Sequence, residues 1–167
     1  MPRHRLKDAC ANPQAKTRVV VLDQITDPQN IGAVFRSAAA FGASAIIAQD
    51  RRTPPLSGAL AKAAVGAIET LPCVRVVNIA RALEALHDLG FHCAGLAGQG
   101  AQDLTTLPPA TPLAIVMGAE GSGLRPLVAQ NCSQLYKIPI NSNVESLNVS
   151  NAAAIALYEA ARAHLSP

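Results

Sequence analysis

Short apolar runs alternate along this chain with longer stretches whose apolar residues recur at helical spacing. After a basic residue, VVVL marks a buried strand over 18–22. Ile31, Val34, Phe35, Ala38 and Phe41 then fall on one helical stripe, and Gly42 follows as the residue that ends the helix. Strands are predicted over 45–48, 74–77, 92–96, 113–117 and 135–138. Helices are predicted over 60–68, 80–89 (closed by Gly90), 124–131 and 149–164. The Pro-rich stretch 51–58 and the segment holding Gln99, Gly100, Gln102 and Asp103 read as loops. Strands alternating with helices predict an α/β fold, a mostly parallel sheet flanked by helices on both faces.

Composition supports a single packed domain. Half of the 167 residues are hydrophobic and 15% are charged, which excludes a disordered chain. No apolar run reaches the roughly 20 residues of a membrane span, and the polar start MPRHRLKDAC is no signal peptide. Cys10, Cys73, Cys93 and Cys132 lie far apart with no metal-binding or redox spacing, so reduced thiols, a cytoplasmic location and no metal site are expected. Residues 1–17 read as a linker, or the remnant of a missing N-terminal region, rather than as core; residues 18–167 form the domain.

The net charge of +3 is placed unevenly. Up to Arg52 there are eight Lys and Arg against four Asp and Glu, leaving six against seven beyond. A basic front half fits a polyanionic partner, although Arg3, Arg5 and Lys7 alone fit a solvated tail as well. Aromatics are 3% and Trp is absent, which excludes a base-stacking platform.

Three blocks interrupt the apolar pattern: DPQNIGAVFRSAAAFG (27–42), VMGAEGSGL (116–124) and IPINSNVESLNVSNAAAIA (138–156). Each joins a strand to a helix through a turn rich in Gly, Asn, Ser or Pro. In α/β proteins such turns lie outside the carboxyl ends of strands, where ligands bind. Gly118, Gly121 and Gly123 lack the spacing of a dinucleotide fingerprint, and no Gly-Lys-Ser/Thr follows, so a P-loop is excluded. What remains is a tight turn that brings backbone close to a ligand, with Glu120 placed to accept from a hydroxyl. Ser146, Asn148 and Ser150 are N-cap residue types ahead of an Ala-rich helix. Three at alternate positions exceed what capping requires, so they are expected on one side of an extended segment, with Leu147 and Val149 on the other. Asn30 and Arg36 are less than two helical turns apart and are expected to face one cleft.

In this order the three blocks resemble the SpoU family of RNA ribose 2′-O-methyltransferases, within the SPOUT superfamily, over about residues 18–163. Between them, KAAVGAIETLPCVRVVNIARAL looks most like the branch that methylates a guanosine of bacterial 23S rRNA. The resemblance implies a deep C-terminal trefoil knot, which general chain-topology rules would not lead one to expect. It implies S-adenosylmethionine as cofactor, held by backbone groups around Gly118, Ile138 and Leu147, with a lesser contribution from Leu96 and Ala97. Asn30, Arg36, Glu120, Ser146 and Asn148 match the family's catalytic polar set. It also implies a homodimer acting on RNA, either 23S rRNA or, as the alternative, a tRNA guanosine, with no DNA or membrane partner. One departure stands out: after IPI the chain reads NSN, where small Gly-containing sequences are common in the family, so the fit of Asn141–Asn143 to the cofactor is open.

The implied reaction is an in-line attack of a ribose 2′-oxygen on the cofactor's methyl group. Arg36 is often described as the base in this family. A guanidinium stays protonated in proteins, so stabilising the developing alkoxide and anchoring a phosphate suit it better. A Rossmann-type oxidoreductase lacks its fingerprint here. An RNA-binding module without activity would not need Asn30, Arg36, Glu120 and Asn148.

Overall fold

The computed structural model of the chain describes residues 5–50, 58, 66–98 and 101–165. Six longer strands and one short one form a single sheet: β1 (Arg18–Asp23), β2 (Ala45–Gln49), β3 (Cys73–Val76), β4 (His92–Leu96), β5 (Gln102–Asp103), β6 (Leu113–Gly118) and β7 (Gln134–Lys137). The order across the sheet is β3-β2-β1-β6-β4-β7-β5, and every adjacent pair is parallel. The expected mostly parallel α/β sheet is therefore the fold. All residues of β1 and β2 are buried, because helices cover both faces and the continuous apolar runs leave no solvent side.

The helices are α1 (Leu6–Ala9), α2 (Pro28–Ala40), α3 (Ala67–Thr70), α4 (Ile79–Asp88), α5 (Pro126–Gln130) and α6 (Val149–Ala161). One core layer packs Ile31, Val34 and Phe35 of α2 and Ala153, Ala156 and Leu157 of α6 against Val20, Leu22 and Ile115 of the sheet. On the opposite face, Ile79, Leu83 and Leu86 of α4 meet Val19, Val21, Ile47 and Val116. The alternation of β1 side chains between these layers is the period of two of a strand. Cys10 at the end of α1 is 2% exposed in this second layer. Arg5, Lys7 and Lys16 before β1 are exposed.

Glycine ends two helices as the sequence indicates. Gly42 has φ 78° and Gly90 φ 100°. The next amide reaches back to close each end, Ala43 N–H to the Ala38 carbonyl (2.8 Å) and Phe91 N–H to the Leu86 carbonyl (3.0 Å), the Schellman arrangement. Helix starts are less legible. α2 begins three residues before the expected 31, because the Asp27 carboxylate caps the Gln29 N–H at 3.1 Å and Pro28 occupies the first turn. The expected 124–131 helix contracts to α5, also opened by a proline. The last helix gives way at Arg162 to a 3-10 turn through His164. β5 and the 3-10 turn Leu104–Thr106 stand where a loop is expected; two residues are too few for periodicity to register. The Pro-rich loop, all but the end of the 60–68 helix, and Gln99 and Gly100 fall outside the described residues.

Arg18 opens β1 and is 2% exposed, with no carboxylate partner among the described residues. Its Nε donates to the Ala160 carbonyl (2.9 Å), Nη1 to those of Ala15, Thr17 and Thr111, and Nη2 to that of Pro109 (3.1 Å). Five carbonyl dipoles replace a counter-ion, while burial lowers its pKa from the usual arginine range.

Candidate active site

A cavity of about 440 Å³ opens at the carboxyl ends of β4, β6 and β7. That is the edge where parallel sheets bind ligands, and the volume suits a nucleoside-sized molecule. Three loops enclose it. The first follows β4 (Leu96, Ala97, Gly98), the second follows β6 (Gly118 to Gly123), and the third runs from Ile138 to Leu147. Met117, Ile138, Leu147, Val149 and Ala152 give it apolar walls, and Glu120 and Glu145 place two acids on its lining.

The second loop is wound tightly. Gly123 N–H donates to the Ala119 carbonyl at 2.8 Å, and Ala119 and Gly123 form an antiparallel bridge. Gly121 (φ 84°) and Gly123 (φ 69°) take the left-handed conformation that lets the chain double back. A Cβ on Gly118 would run into the backbone of Gly123 and Leu124, so this position admits only glycine. Glu120 sits exposed at the tip of the turn.

The third loop reaches the cavity through NSN. The Asn141 side chain accepts the Asn143 N–H at 2.9 Å, and its carbonyl accepts the Val144 N–H at 3.0 Å. An Asx turn here does by side-chain hydrogen bonding what a glycine does by conformational freedom. Asn141 and Ser142 line the cavity.

Of the residues singled out in the sequence, Gly118, Glu120, Ile138, Ser146 and Leu147 share the cavity lining. Leu96 and Ala97 join them. Ser146, Leu147 and Val149 all line it, so the expected division of that segment into a polar and an apolar side does not occur. The chain is irregular there, between the end of β7 and the start of α6, so strand alternation does not apply. Asn148 is the N-cap of α6, its Oδ1 accepting the Ser150 N–H (2.9 Å) and hydroxyl (2.6 Å).

Asn30 and Arg36 lie outside this lining, on α2. Asn30 is half-buried in the first turn, close behind the end of β1. Arg36 is exposed and makes no hydrogen bond or ion pair with a described residue. A six-residue step turns it about 120° away around the helix and about 9 Å along it. The expectation that the two side chains face one cleft is therefore not met along α2 itself.

Other residues that order the site carried no motif signal. Asp23, the last residue of β1, is fully buried, and β-register pairs it with Gly118. Its Oδ1 accepts from Arg125 Nε (2.8 Å) and Nη2 (2.6 Å), and its Oδ2 from the Arg125 backbone N–H (3.1 Å). Gln24 follows with φ 62°, a left-handed turn unusual outside glycine, held by two donations to Gln49 Oε1 (2.8 and 3.0 Å). The fully apolar strand before Asp23 was the available signal, since a carboxylate ending such a strand needs a buried partner.

No thiol is poised for chemistry here. Burial pushes Cys93 and Cys132 up to about 12 and Cys10 and Cys73 to about 11. All four are free, and no metal-holding cluster occurs among the described residues. No described helix is long and apolar enough to cross a membrane.

Fold and cavity together define an α/β protein with a ligand site at the carboxyl edge of a parallel sheet. The sequence from residue 17 to 158 matches the model of the SpoU rRNA Methylase family, and the chain belongs to that family. It is 45% identical over 147 residues to the 23S rRNA (guanosine-2′-O-)-methyltransferase RlmB of Vibrio parahaemolyticus, covering 88% of this chain and 60% of that protein. An AdoMet-bound rRNA methyltransferase from Sinorhizobium meliloti superposes with a TM-score of 0.89 at 31% identity, covering 99% of this chain and 63% of that one. The SpoU methyltransferase AviRb from Streptomyces viridochromogenes, in complex with AdoMet, gives 0.86 at 29% identity, covering 98% and 63%. The chain spans about 60% of the length of the curated relatives it matches.

Proposed function

We propose that this chain is the catalytic part of an S-adenosylmethionine-dependent RNA methyltransferase that modifies a ribose 2′-hydroxyl, of a guanosine in 23S rRNA. The observation that carries the reading is the composite cavity, in which blocks two and three meet at one strand edge within a SpoU-family fold. Curated relatives at 40–46% identity are named for that rRNA activity.

The lining fits the cofactor. Apolar walls and backbone edges suit a nucleoside, and Glu120 and Glu145 complement a ligand bearing sulfonium and ammonium charge. Gly118, Ile138 and Leu147 would hold it. Bound, it would supply a methyl group already activated for transfer. The protein's part is alignment and charge. Glu120, on the exposed tip, would accept from a substrate hydroxyl. Ser146 on the cavity lining would orient the reacting group, while Asn148 would fix the start of α6 through its cap. Asn30 and Arg36 would act on the RNA. The exposed guanidinium of Arg36 would stabilise negative charge at the 2′-oxygen and hold a phosphate.

Arg36 is exposed and lies outside its own chain's cavity lining, so a second copy would bring it to a neighbour's site, and a homodimer is proposed accordingly. Ile155 and Tyr158 on α6 are 42% and 52% exposed, one turn apart on an unpaired apolar face beside Phe41. A trefoil knot is proposed for the C-terminal segment. Its support is the order of strands: β6 is inserted between β1 and β4, and β7 between β4 and β5, each after its neighbours in the chain. The setting would be cytoplasmic.

Calorimetric titration with S-adenosylhomocysteine should show about one site per chain. Methyl transfer to 23S rRNA fragments and to tRNA transcripts, with the product mapped, then separates the rRNA reading from the tRNA one. Silence at millimolar ligand would sink the proposal, and binding without transfer to any RNA would leave a cofactor-binding module.

A further inference from the structure

We infer that Asp23 and Arg125 form a positioning staple that holds the cavity loop after β6 in register with the carboxyl end of β1. The inference rests on the methyltransferase reading above. The loop from Ala119 to Leu124 carries Glu120 and forms one wall of the cavity, yet its hydrogen bonds between Ala119 and Gly123 are internal to it. The tie that fixes it outward is at its end. There Arg125 gives both a guanidinium edge and its backbone N–H to one carboxylate on β1. Asp23 lies directly opposite Gly118, where the loop begins. It also lies four residues before Asp27, which caps the helix that carries Asn30 and Arg36. One side chain therefore sets the spacing between the cofactor wall and the start of the substrate-side motif.

The electrostatics favour this role over a purely stabilising one. Buried ion pairs contribute little to stability beyond what apolar residues of the same volume would give, so a stability argument alone does not account for the pair. What such a pair does supply is geometry. Asp23 is fully buried and Arg125 half-exposed, so any displacement of the loop strands a carboxylate in the interior. The cost of opening makes the position of the loop nearly binary. A short side chain suits it, because Asp23 must reach the backbone of Arg125 as well as its fork.

The test uses the whole chain and measures S-adenosylhomocysteine affinity at low temperature, single-turnover methyl transfer and Tm. Asp23→Asn should weaken binding by roughly tenfold, the scale of one hydrogen bond to a charged group, and slow transfer at saturating cofactor. Arg125→Lys keeps the charge but not the fork and should fall between. Its half-exposed position keeps folding secure and so decides the matter should Asp23→Asn not fold. Arg18→Lys, at the opposite end of the same strand, is the control: it should lower Tm and leave affinity unchanged. Affinity and transfer rate within about twofold of the unaltered chain for the Asp23 and Arg125 variants, with Tm alone reduced, would overturn the staple. An unaltered chain that binds no S-adenosylhomocysteine would instead overturn the methyltransferase reading and take this inference with it.

Discussion

Arg18 Nε donates to the Ala160 carbonyl at 2.9 Å, joining the first residue of β1 to the last turn of α6 across 142 positions of sequence. The contact moors the carboxyl end of α6 at the amino edge of the sheet, where its carbonyls carry the negative end of the helix dipole. The opposite end of α6 then lies over the cavity, with Asn148 capping it beside Leu147. A structural arginine thus anchors the end of α6 remote from the candidate site.

Arg36→Ala should reduce methyl transfer by roughly 10²-fold or more, the scale of removing one preorganised donor from a developing oxyanion. S-adenosylhomocysteine affinity should barely change, because Arg36 lies off the cavity lining. Arg36→Lys should restore part of the rate. An RNA carrying a 2′-deoxy nucleotide at the target should bind and remain unmethylated. Near-normal turnover by the alanine variant would remove Arg36 from the mechanism.

Gly118→Ala should destabilise the fold by about 1–3 kcal/mol, the usual cost of forcing a methyl group into a filled space, and should lower cofactor affinity at the same time. The added carbon meets the Gly123 and Leu124 backbone, which cannot rotate aside as a side chain can. Gly121→Ala finds open space around its Cβ and meets only the strain of a positive φ, about 1–2 kcal/mol. Urea unfolding of both variants beside ligand titration separates loop distortion from backbone strain. Unchanged affinity in Gly118→Ala would detach that loop from cofactor binding.

Tyr158→Arg should convert the proposed dimer to a monomer. The ring packs edge-on against Phe41 at 5.7 Å between centroids while half of it remains exposed. A charge there would be desolvated by a second copy but solvated in a monomer. Light scattering at micromolar concentration reads the result. An unaltered chain that runs as a monomer, and is active as one, would defeat the proposal.

His92 predicts a pH dependence of stability. Burial, with a smaller contribution from His87, lowers its pKa below the ordinary 6.5, and its Nε2 lies 2.9 Å from the Tyr136 hydroxyl. The unfolded chain therefore binds the proton more readily than the folded one. This contribution is complete above 6.5 and declines as pH falls from there towards the folded value. The urea midpoint of the unaltered chain should drop between pH 7.5 and 5.5. His92→Gln should flatten that slope, and an equal slope in both proteins would show that His92 does not set it.

The α/β class, the parallel strands and the glycine helix ends were legible in the sequence because each rests on local physics. A strand buried on both faces must be apolar throughout, as VVVL is, and a chain turning at φ 78° or 100° calls for glycine, as at Gly42 and Gly90. The order of strands was not legible. No local preference tells β6 to enter between β1 and β4, and only the packing of both faces decides it. Of the residues that line the cavity, Gly118, Glu120 and Ser146 could be named in advance because their turns interrupt an apolar pattern, and Ile138 and Leu147 only because the third block resembles the SpoU family. Gln24, Gln49 and Arg125 could not, since what distinguishes them is a partner 25 or 102 residues away. Arg18 looks in sequence like any basic residue ahead of a strand, and becomes a structural anchor only when folding gathers five carbonyls around it. The sequence by itself determined which segments form strands, helices and turns, because those choices follow from side-chain shape and backbone freedom within a few residues. Tertiary structure alone decided which turns share a cavity and which charges are neutralised, because both depend on distances that exist only once the sheet has assembled.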